Sequence, residues 1–170
     1  MIRRLRALFR KEWTECKAVD VNGLILEVTT LLHGDMHHKG IGLQFSLAKN
    51  LPPVLGDAIQ QVILNVVINA AEAIAGVSSG RAFATIETAE HHPGTVEITV
   101  RDGGPGVSEA ELERIFEPFV TTKTTGLGMG LSISRSIVQA HGGRIWATRN
   151  GDGGLTMHIE LPCEETGSPA

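Results

Sequence analysis

Two asparagines one helical turn apart, Asn65 and Asn69, stand inside an otherwise apolar stretch running from Gln60 to Ala73. Asparagine has no propensity advantage in a helix interior, and burying its amide unpaired costs about 1–3 kcal/mol. A neutral oxygen ligand for a hard cation such as Mg²⁺ would justify the pair; bonds to neighbouring backbone are the plainer alternative. Further along, Asp102-Gly103-Gly104-Pro105-Gly106 closes the alternating run Val96 to Val100. An aspartate there can accept a hydrogen bond from an exocyclic amine, and glycines beyond it let a flat ring approach the backbone. Alone, the same residues would make an ordinary tight turn. Then Gly126-Leu127-Gly128-Met129-Gly130-Leu131-Ser132 runs into a helical pattern. Glycine-rich backbone leading to a helix N-terminus presents free N–H groups and the positive end of the helix dipole, which suits a phosphate chain. It is not a Walker loop, because no Lys-Ser/Thr pair follows the last glycine. Thr121, Thr122, Lys123, Thr124 and Thr125 lie just upstream, where hydroxyls can donate and Lys123 can meet an anion.

These residues need elements to hold them. Asp20-Val21-Asn22 offers N-cap side chains for a helix reaching Leu32 or His37. Ile41, Leu43, Phe45 and Leu47 alternate with small or polar residues and predict a half-buried strand, stopped by Leu51-Pro52-Pro53. Asp57 is the expected cap of the long helix carrying both asparagines, which ends near Gly76. Residues 82–89 and 95–101 read as paired antiparallel strands. Ser108 with Glu111 makes a capping box for a short helix. A helix from Leu131 to Ala140 stops at Gly142-Gly143. Strands at 144–149 and 155–161 flank the hairpin signal Asn150-Gly151-Asp152-Gly153-Gly154. The expected architecture is α+β: a two-layer sandwich with helices on one face of a mixed, mostly antiparallel sheet. A doubly wound sheet would place its glycine-rich turn after the first strand, whereas here the glycines come late.

At 170 residues, 42% hydrophobic and 20% charged, the chain has the composition of a globular protein with one core. No apolar run reaches membrane-spanning length, and the first residues lack the apolar stretch of a secretory signal. Cys16 and Cys163 have no metal-like spacing, and a cytoplasmic location is the expectation. The net charge of −4 is uneven, since residues 1–19 carry six basic and two acidic groups. Ile2, Leu5, Leu8 and Phe9 recur between those charges at helical spacing, so this arm reads as an amphipathic helix lacking its partner rather than a nucleic-acid-binding tail.

In order and combination the boxes Asn65…Asn69, Asp102-x-Gly104-x-Gly106, Phe116-Glu117-Pro118-Phe119-Val120-Thr121-Thr122-Lys123 and Gly126-x-Gly128-x-Gly130 closely resemble those of the GHKL, or Bergerat-fold, ATPases. The stretch Ile115 to Gly143 is similar to sensor histidine kinases in particular, with the flavour of PAS-linked oxygen sensors. The resemblance spans residues 20–162. It implies Mg-ATP as the bound species, with Asn69 on the metal and Asn65 beside it or beside the phosphates. It implies catalytic roles for Asn65, Asn69 and Lys123. Asp102 would read the adenine amine, with Gly104, Gly106 and Val107 shaping the purine pocket. Phe116 and Phe119 would anchor a lid. Thr122, Lys123, Gly126, Gly128, Met129, Gly130 and Leu131 would line the triphosphate, and Thr156 would lie behind the adenine.

Two departures qualify this. The hydrolases of the family carry a glutamate one turn before the metal asparagine, as base for water, where this chain has Asn65. Many kinases place a lysine three residues after that asparagine, where this chain has Glu72. None of His33, His37, His38, His91, His92, His141 or His158 is followed by an acidic residue in a hairpin setting. Adjacent His37 and His38 read as solvated loop residues, and His141 as a helix C-terminal residue. The expectation is therefore a histidine kinase catalytic domain at 20–162, after a remnant of the phosphoacceptor hairpin at 1–19 and before a disordered tail at 163–170. Such a fragment would not phosphorylate itself, would be a monomer or weak dimer, and would meet a response regulator only indirectly. A stand-alone ATPase of the gyrase or chaperone type, an anti-sigma-type serine kinase and a non-catalytic nucleotide-binding module remain the alternatives.

Overall fold

Val96, Ile98 and Val100 alternate with Thr95, Glu97, Thr99 and Arg101, and a strand with that pattern must have one dry face and one wet face. The computed structural model, which describes residues 17–56, 58–77, 82–120 and 128–163, places this strand at the centre of a five-stranded sheet. The elements are β1 (Ala18–Val19), α1 (Val21–His38), β2 (Gly42–Leu47), β3 (Val54–Leu55), α2 (Ile59–Ala75), β4 (Phe83–His92), β5 (Thr95–Arg101), α3 (Glu109–Arg114), α4 (Gly130–Ala140), β6 (Arg144–Arg149) and β7 (Leu155–Pro162). The sheet order is β2-β4-β5-β7-β6. Only β2 and β4 run parallel, and the other neighbours are antiparallel. The side chains of Ile86, Ile98, Ile159 and Leu161 are fully buried against α1, α2 and α4. Burying each such side chain contributes about 1.5–3 kcal/mol, so this single layer of helices carries most of the hydrophobic stabilisation. This is the expected two-layer α+β sandwich.

Several local expectations change. The pair β1–β3 forms a separate two-stranded sheet. Asp20 stands at the N-cap of α1 but makes no side-chain cap bond. Asn22 instead donates to the Ala48 carbonyl at 2.8 Å and accepts from the buried Thr88 hydroxyl at 2.9 Å, tying α1 to the end of β2 and the middle of β4. Asp57 lies outside the described residues, and the N-cap of α2 is Ala58, held left-handed at φ 59°. His37 and His38 are exposed in the last turn of α1 rather than in a loop. The expected helix at 1–13 and most of the expected tail also lie outside the described residues. Burial and the nearby Glu90 push the Cys163 thiol up, away from the reactive thiolate. Among the described residues, no helix is long and apolar enough to cross a membrane.

The capping box forms as expected: Ser108 Oγ accepts from the Glu111 N–H at 3.2 Å, and the Glu111 carboxylate accepts from the Ser108 N–H at 2.8 Å. The Ser108 N–H, and the Ser108 hydroxyl that donates to the same carboxylate at 2.7 Å, hold the Glu111 pKa below its usual value. Because the folded value is the lower one, its contribution is complete above the unfolded carboxylate pKa and is lost as pH falls through the folded value. Protection factors of the amides at the start of α3 should therefore fall below about pH 4.5, earlier than those of the core, and Ser108→Ala, which removes the hydroxyl but keeps the backbone N–H, should weaken that pH dependence without abolishing it.

Candidate functional site

One end of the candidate site is built at the close of β5. After the inward-facing Val100 comes Arg101 on the wet face, and Asp102 turns inward again, only 7% exposed. Its Oδ1 accepts from the Gly104 N–H at 2.8 Å and the Leu155 N–H at 3.3 Å. Its own N–H donates to the Leu155 carbonyl at 2.9 Å. Glycine is required at two neighbours for steric reasons. A Cβ on Gly104 would stand 2.8 Å from the Ala73 Cβ and 2.8 Å from Asp102 Oδ1. A Cβ on Gly154, where φ is +82°, would collide with the Asp102 carbonyl oxygen. The turn is thus closed onto α2 on one side and onto the β6–β7 hairpin on the other. Gly106 at φ +73° and the half-buried Val107 continue it toward α3.

The opposite end is the start of α4. Its N-cap, Met129, makes no side-chain cap bond, and no acidic residue occupies the first turn. The leading N–H groups therefore have no side-chain cap or counter-charge on their own helix, which is the setting that receives an anion. Asn65 fixes where this end points. Its Nδ2 donates to the Gly130 carbonyl at 3.1 Å and to Ser134 Oγ at 3.2 Å, and the fully buried Ser134 hydroxyl donates to the same carbonyl at 2.9 Å. The donor half of the Asn65 amide thus meets backbone, but on another helix. Ser134 had no functional reading in the sequence, and only its partner 69 residues away reveals its role. Replacing Ser134 by valine leaves the buried amide short of a partner, at about 1–3 kcal/mol. Affinity for an ATP analogue should fall by roughly tenfold in calorimetric titration, while affinity for adenosine stays within about twofold.

Asn69 lies one turn beyond Asn65 on the same side of α2, half-buried, and Ala73 lies one turn further against Gly104. One stripe of α2 therefore joins the start of α4 to the Asp102 turn over about 12 Å, eight residues at the helical rise. Glu72, where many kinases of the family carry a lysine, lines a groove beside α1 with Asp35 and Lys39.

Phe116 is buried, and the guanidinium carbon of Arg135 lies 5.9 Å from the centroid of its ring. Phe119 does not share this anchoring role. Its φ of 66° turns the ring outward, 72% exposed, while its N–H donates to the Gly128 carbonyl at 3.0 Å. Both flanks of the glycine-rich loop are thereby joined through backbone. Thr122, Lys123 and Gly126 lie outside the described residues; Gly128, Met129, Gly130 and Leu131 form the described end of the loop and the first turn of α4.

Thr156 is placed differently from expectation. Met157, Ile159 and Leu161 are buried under the helices, so the pleat turns Thr156 to the helix-free face. There its hydroxyl donates to Asn150 Oδ1 at 2.7 Å. Asn150, which the sequence marked only as a turn residue, donates in turn to the Asp102 carbonyl at 3.1 Å. A hydrogen bond to the Asp102 turn from a residue 48 positions away carries no sequence signal. His141 caps the C-terminus of α4, its Nδ1 2.7 Å from the Ile137 carbonyl oxygen. His158 lies on the wet face, 3.0 Å from Glu97 and stacked on Trp146.

Residues 55–165 match the family model described as histidine kinase-, DNA gyrase B- and HSP90-like ATPase. The chain is 38% identical over 167 residues to the sensor protein FixL of Bradyrhizobium diazoefficiens, covering 97% of this chain and 33% of that one. It spans a third or less of the first curated relatives it matches. The catalytic domain of histidine kinase ThkA superposes with a TM-score of 0.78 at 34% identity, over 88% of this chain and 97% of that one. Full-length ShkA in complex with AMPPNP gives 0.77 at 30% identity, over 91% and 32%. ThkA in complex with the response regulator TrrA gives 0.75 at 29% identity, over 96% and 46%.

Proposed function

The chain belongs to the histidine kinase-, DNA gyrase B- and HSP90-like ATPase family, and from that premise we propose that it holds Mg-ATP for transfer of the γ-phosphoryl group to a histidine on a separate helical hairpin. It is the ATP-binding catalytic domain of the sensor histidine kinase type. The observation that supports the reading is the α2 stripe, which meets the start of α4 through Asn65 and the Asp102 turn through Ala73, two turns apart on one helix. In this reading Asp102 accepts from the adenine amine. Gly104 and Gly106 admit the ring, and the N–H groups at Gly130 and Leu131 receive the phosphates. Lys123, Thr122 and Gly126 contribute from the loop.

The donor set fits Mg²⁺ in one particular way. Among the described residues no group of three or more His, Cys, Asp or Glu side chains could hold a metal ion. Asn69 offers a single amide oxygen, and Mg²⁺ characteristically pairs one or two protein oxygens with phosphate oxygens and water. When bound, the ion supplies neutralising charge to the phosphates. The chain's own residues then position. Asn65 and Ser134 hold the start of α4, Asp102 fixes the base, and the γ-phosphorus is presented in line to an imidazole nitrogen. The nitrogen–phosphorus bond forms as the bond from phosphorus to the β,γ-bridging oxygen breaks, and ADP leaves with that oxygen. Positioning and electrostatics supply the rate.

None of the seven histidines sits in a dimerising hairpin, and residues 1–16 lie outside the described residues. The acceptor, the response regulator that would receive the group next, the cytoplasmic setting and the division at residues 1–19, 20–162 and 163–170 belong to this proposal. Asn65 favours the kinase reading over the hydrolase reading. Its amide donates to α4 and cannot serve as a base for water. The test is steady-state phosphate release alongside calorimetric binding of Mg-ATP. Binding with release slower than about one turnover per minute is expected, almost three decades below an ordinary enzyme turnover of about 10 per second. Release faster than about one per second would transfer the chain to the hydrolase reading.

A further inference from the structure

The helix-free side of the Asp102 turn is held by a relay from β7. Thr156 Oγ1 donates to Asn150 Oδ1 at 2.7 Å, and Asn150 Nδ2 donates to the Asp102 carbonyl at 3.1 Å. The Asn150 N–H donates to the Gly154 carbonyl at 3.1 Å, which orients the side chain from within its own hairpin. Gly154 lets the hairpin backbone pack directly under Asp102. Asn150 uses both its amide donor and its amide acceptor in this relay. The exposed Arg101–Asp152 ion pair, 2.6 Å long, also joins the hairpin to β5, but a solvated pair of this kind adds little.

We propose that Asn150 is a positioning residue for base selectivity: through Thr156 it fixes the Asp102 main chain, and so sets the distance at which the Asp102 carboxylate meets an exocyclic amine. The inference rests on Asp102 being the base reader. Adenine offers an amine where guanine offers a carbonyl oxygen, so a fixed carboxylate accepts from the first and repels the second. If the main chain behind Asp102 shifts, both the attraction and the repulsion weaken. Contacts to the phosphates, set by Asn65 and Ser134 two turns away along α2, do not change. A misplaced Asp102 therefore shows as lost discrimination, whereas general loosening shows as loss of affinity for every nucleotide.

The experiment is calorimetric titration of the chain with Mg-ATP and Mg-GTP, with the thermal midpoint recorded for each variant. Asn150→Asp keeps the acceptor for Thr156 and replaces the donor toward the Asp102 carbonyl with a repelling oxygen. Thr156→Val removes the other bond of the relay, and Thr156→Ser restores it. For Asn150→Asp the ATP:GTP affinity ratio should fall by about tenfold. It should fall about threefold for Thr156→Val and return to within about twofold of the parent for Thr156→Ser. Asp102→Ala is the reference. If it collapses the ratio while Asn150→Asp and Thr156→Val leave it unchanged, or lower ATP and GTP affinity equally, the positioning role is overturned and the base reader stands. If Asp102→Ala leaves the ratio unchanged, the reading of Asp102 itself fails and this inference fails with it. Should Asn150→Asp not fold, the Thr156 pair decides alone.

Discussion

Asp102→Ala should weaken Mg-ATP binding by at least about 100-fold. The carboxylate accepts from Gly104 and Leu155 of the protein and, in the proposed reading, from the adenine amine as well. Its loss therefore removes the partner of the ligand and two bonds that shape the turn. A hydrogen bond to a charged acceptor contributes about 1.5–3 kcal/mol, and loosening of the Gly104 turn adds to that. Affinity for inorganic triphosphate, which needs only the other end of the site, should change by less than about threefold. Asp102→Asn keeps an oxygen for the Gly104 N–H and should lie between the two. Calorimetric titration with both ligands reads the difference.

Asn69→Ala should separate binding from chemistry. Asn69 stands between the two ends of the α2 stripe, so its removal leaves the Asp102 turn and the Asn65–Ser134 latch intact. What it takes away is the amide oxygen proposed for Mg²⁺. Nucleotide affinity should fall only about three- to tenfold and should cease to depend on Mg²⁺ concentration, while phosphoryl transfer falls by at least about 100-fold. Titrating ATP at several Mg²⁺ concentrations, with transfer followed in parallel, checks both halves. An affinity that still rises with Mg²⁺ as in the parent would remove Asn69 from the metal.

What the sequence made legible was local or periodic. The Ser108–Glu111 box, the alternation of β5 and the glycine-led start of α4 are each written within about seven residues, and each stands where its pattern placed it. What it hid was contact at long range. Asn22 has the chemistry of a cap but is used 26 residues away, at Ala48. Asn150 looks like a turn residue because its partner is 48 positions distant. Thr156 follows the glycine pair as the family pattern suggests, yet a strand alternates faces at every residue. One position decides whether a side chain meets the pocket or the wet face, and the burial of Met157 settles it. Phe119 was read with Phe116 as a second apolar anchor, but a positive φ cannot be read from residue type, and it turns that ring outward. The strands β1 and β3, two residues each, are too short to alternate at all.

The central claim is that this domain holds ATP for transfer to a histidine it does not itself carry. The direct measurement mixes the chain with Mg-ATP labelled at the γ-phosphate and a dimerising hairpin bearing a phosphoacceptor histidine from a sensor kinase. Label should appear on the hairpin imidazole, in acid-labile and base-stable form, and should be lost with Asn69→Ala and with Asp102→Ala. Tight ATP binding with no label on any hairpin offered, or label on a serine of a partner protein, would contradict it.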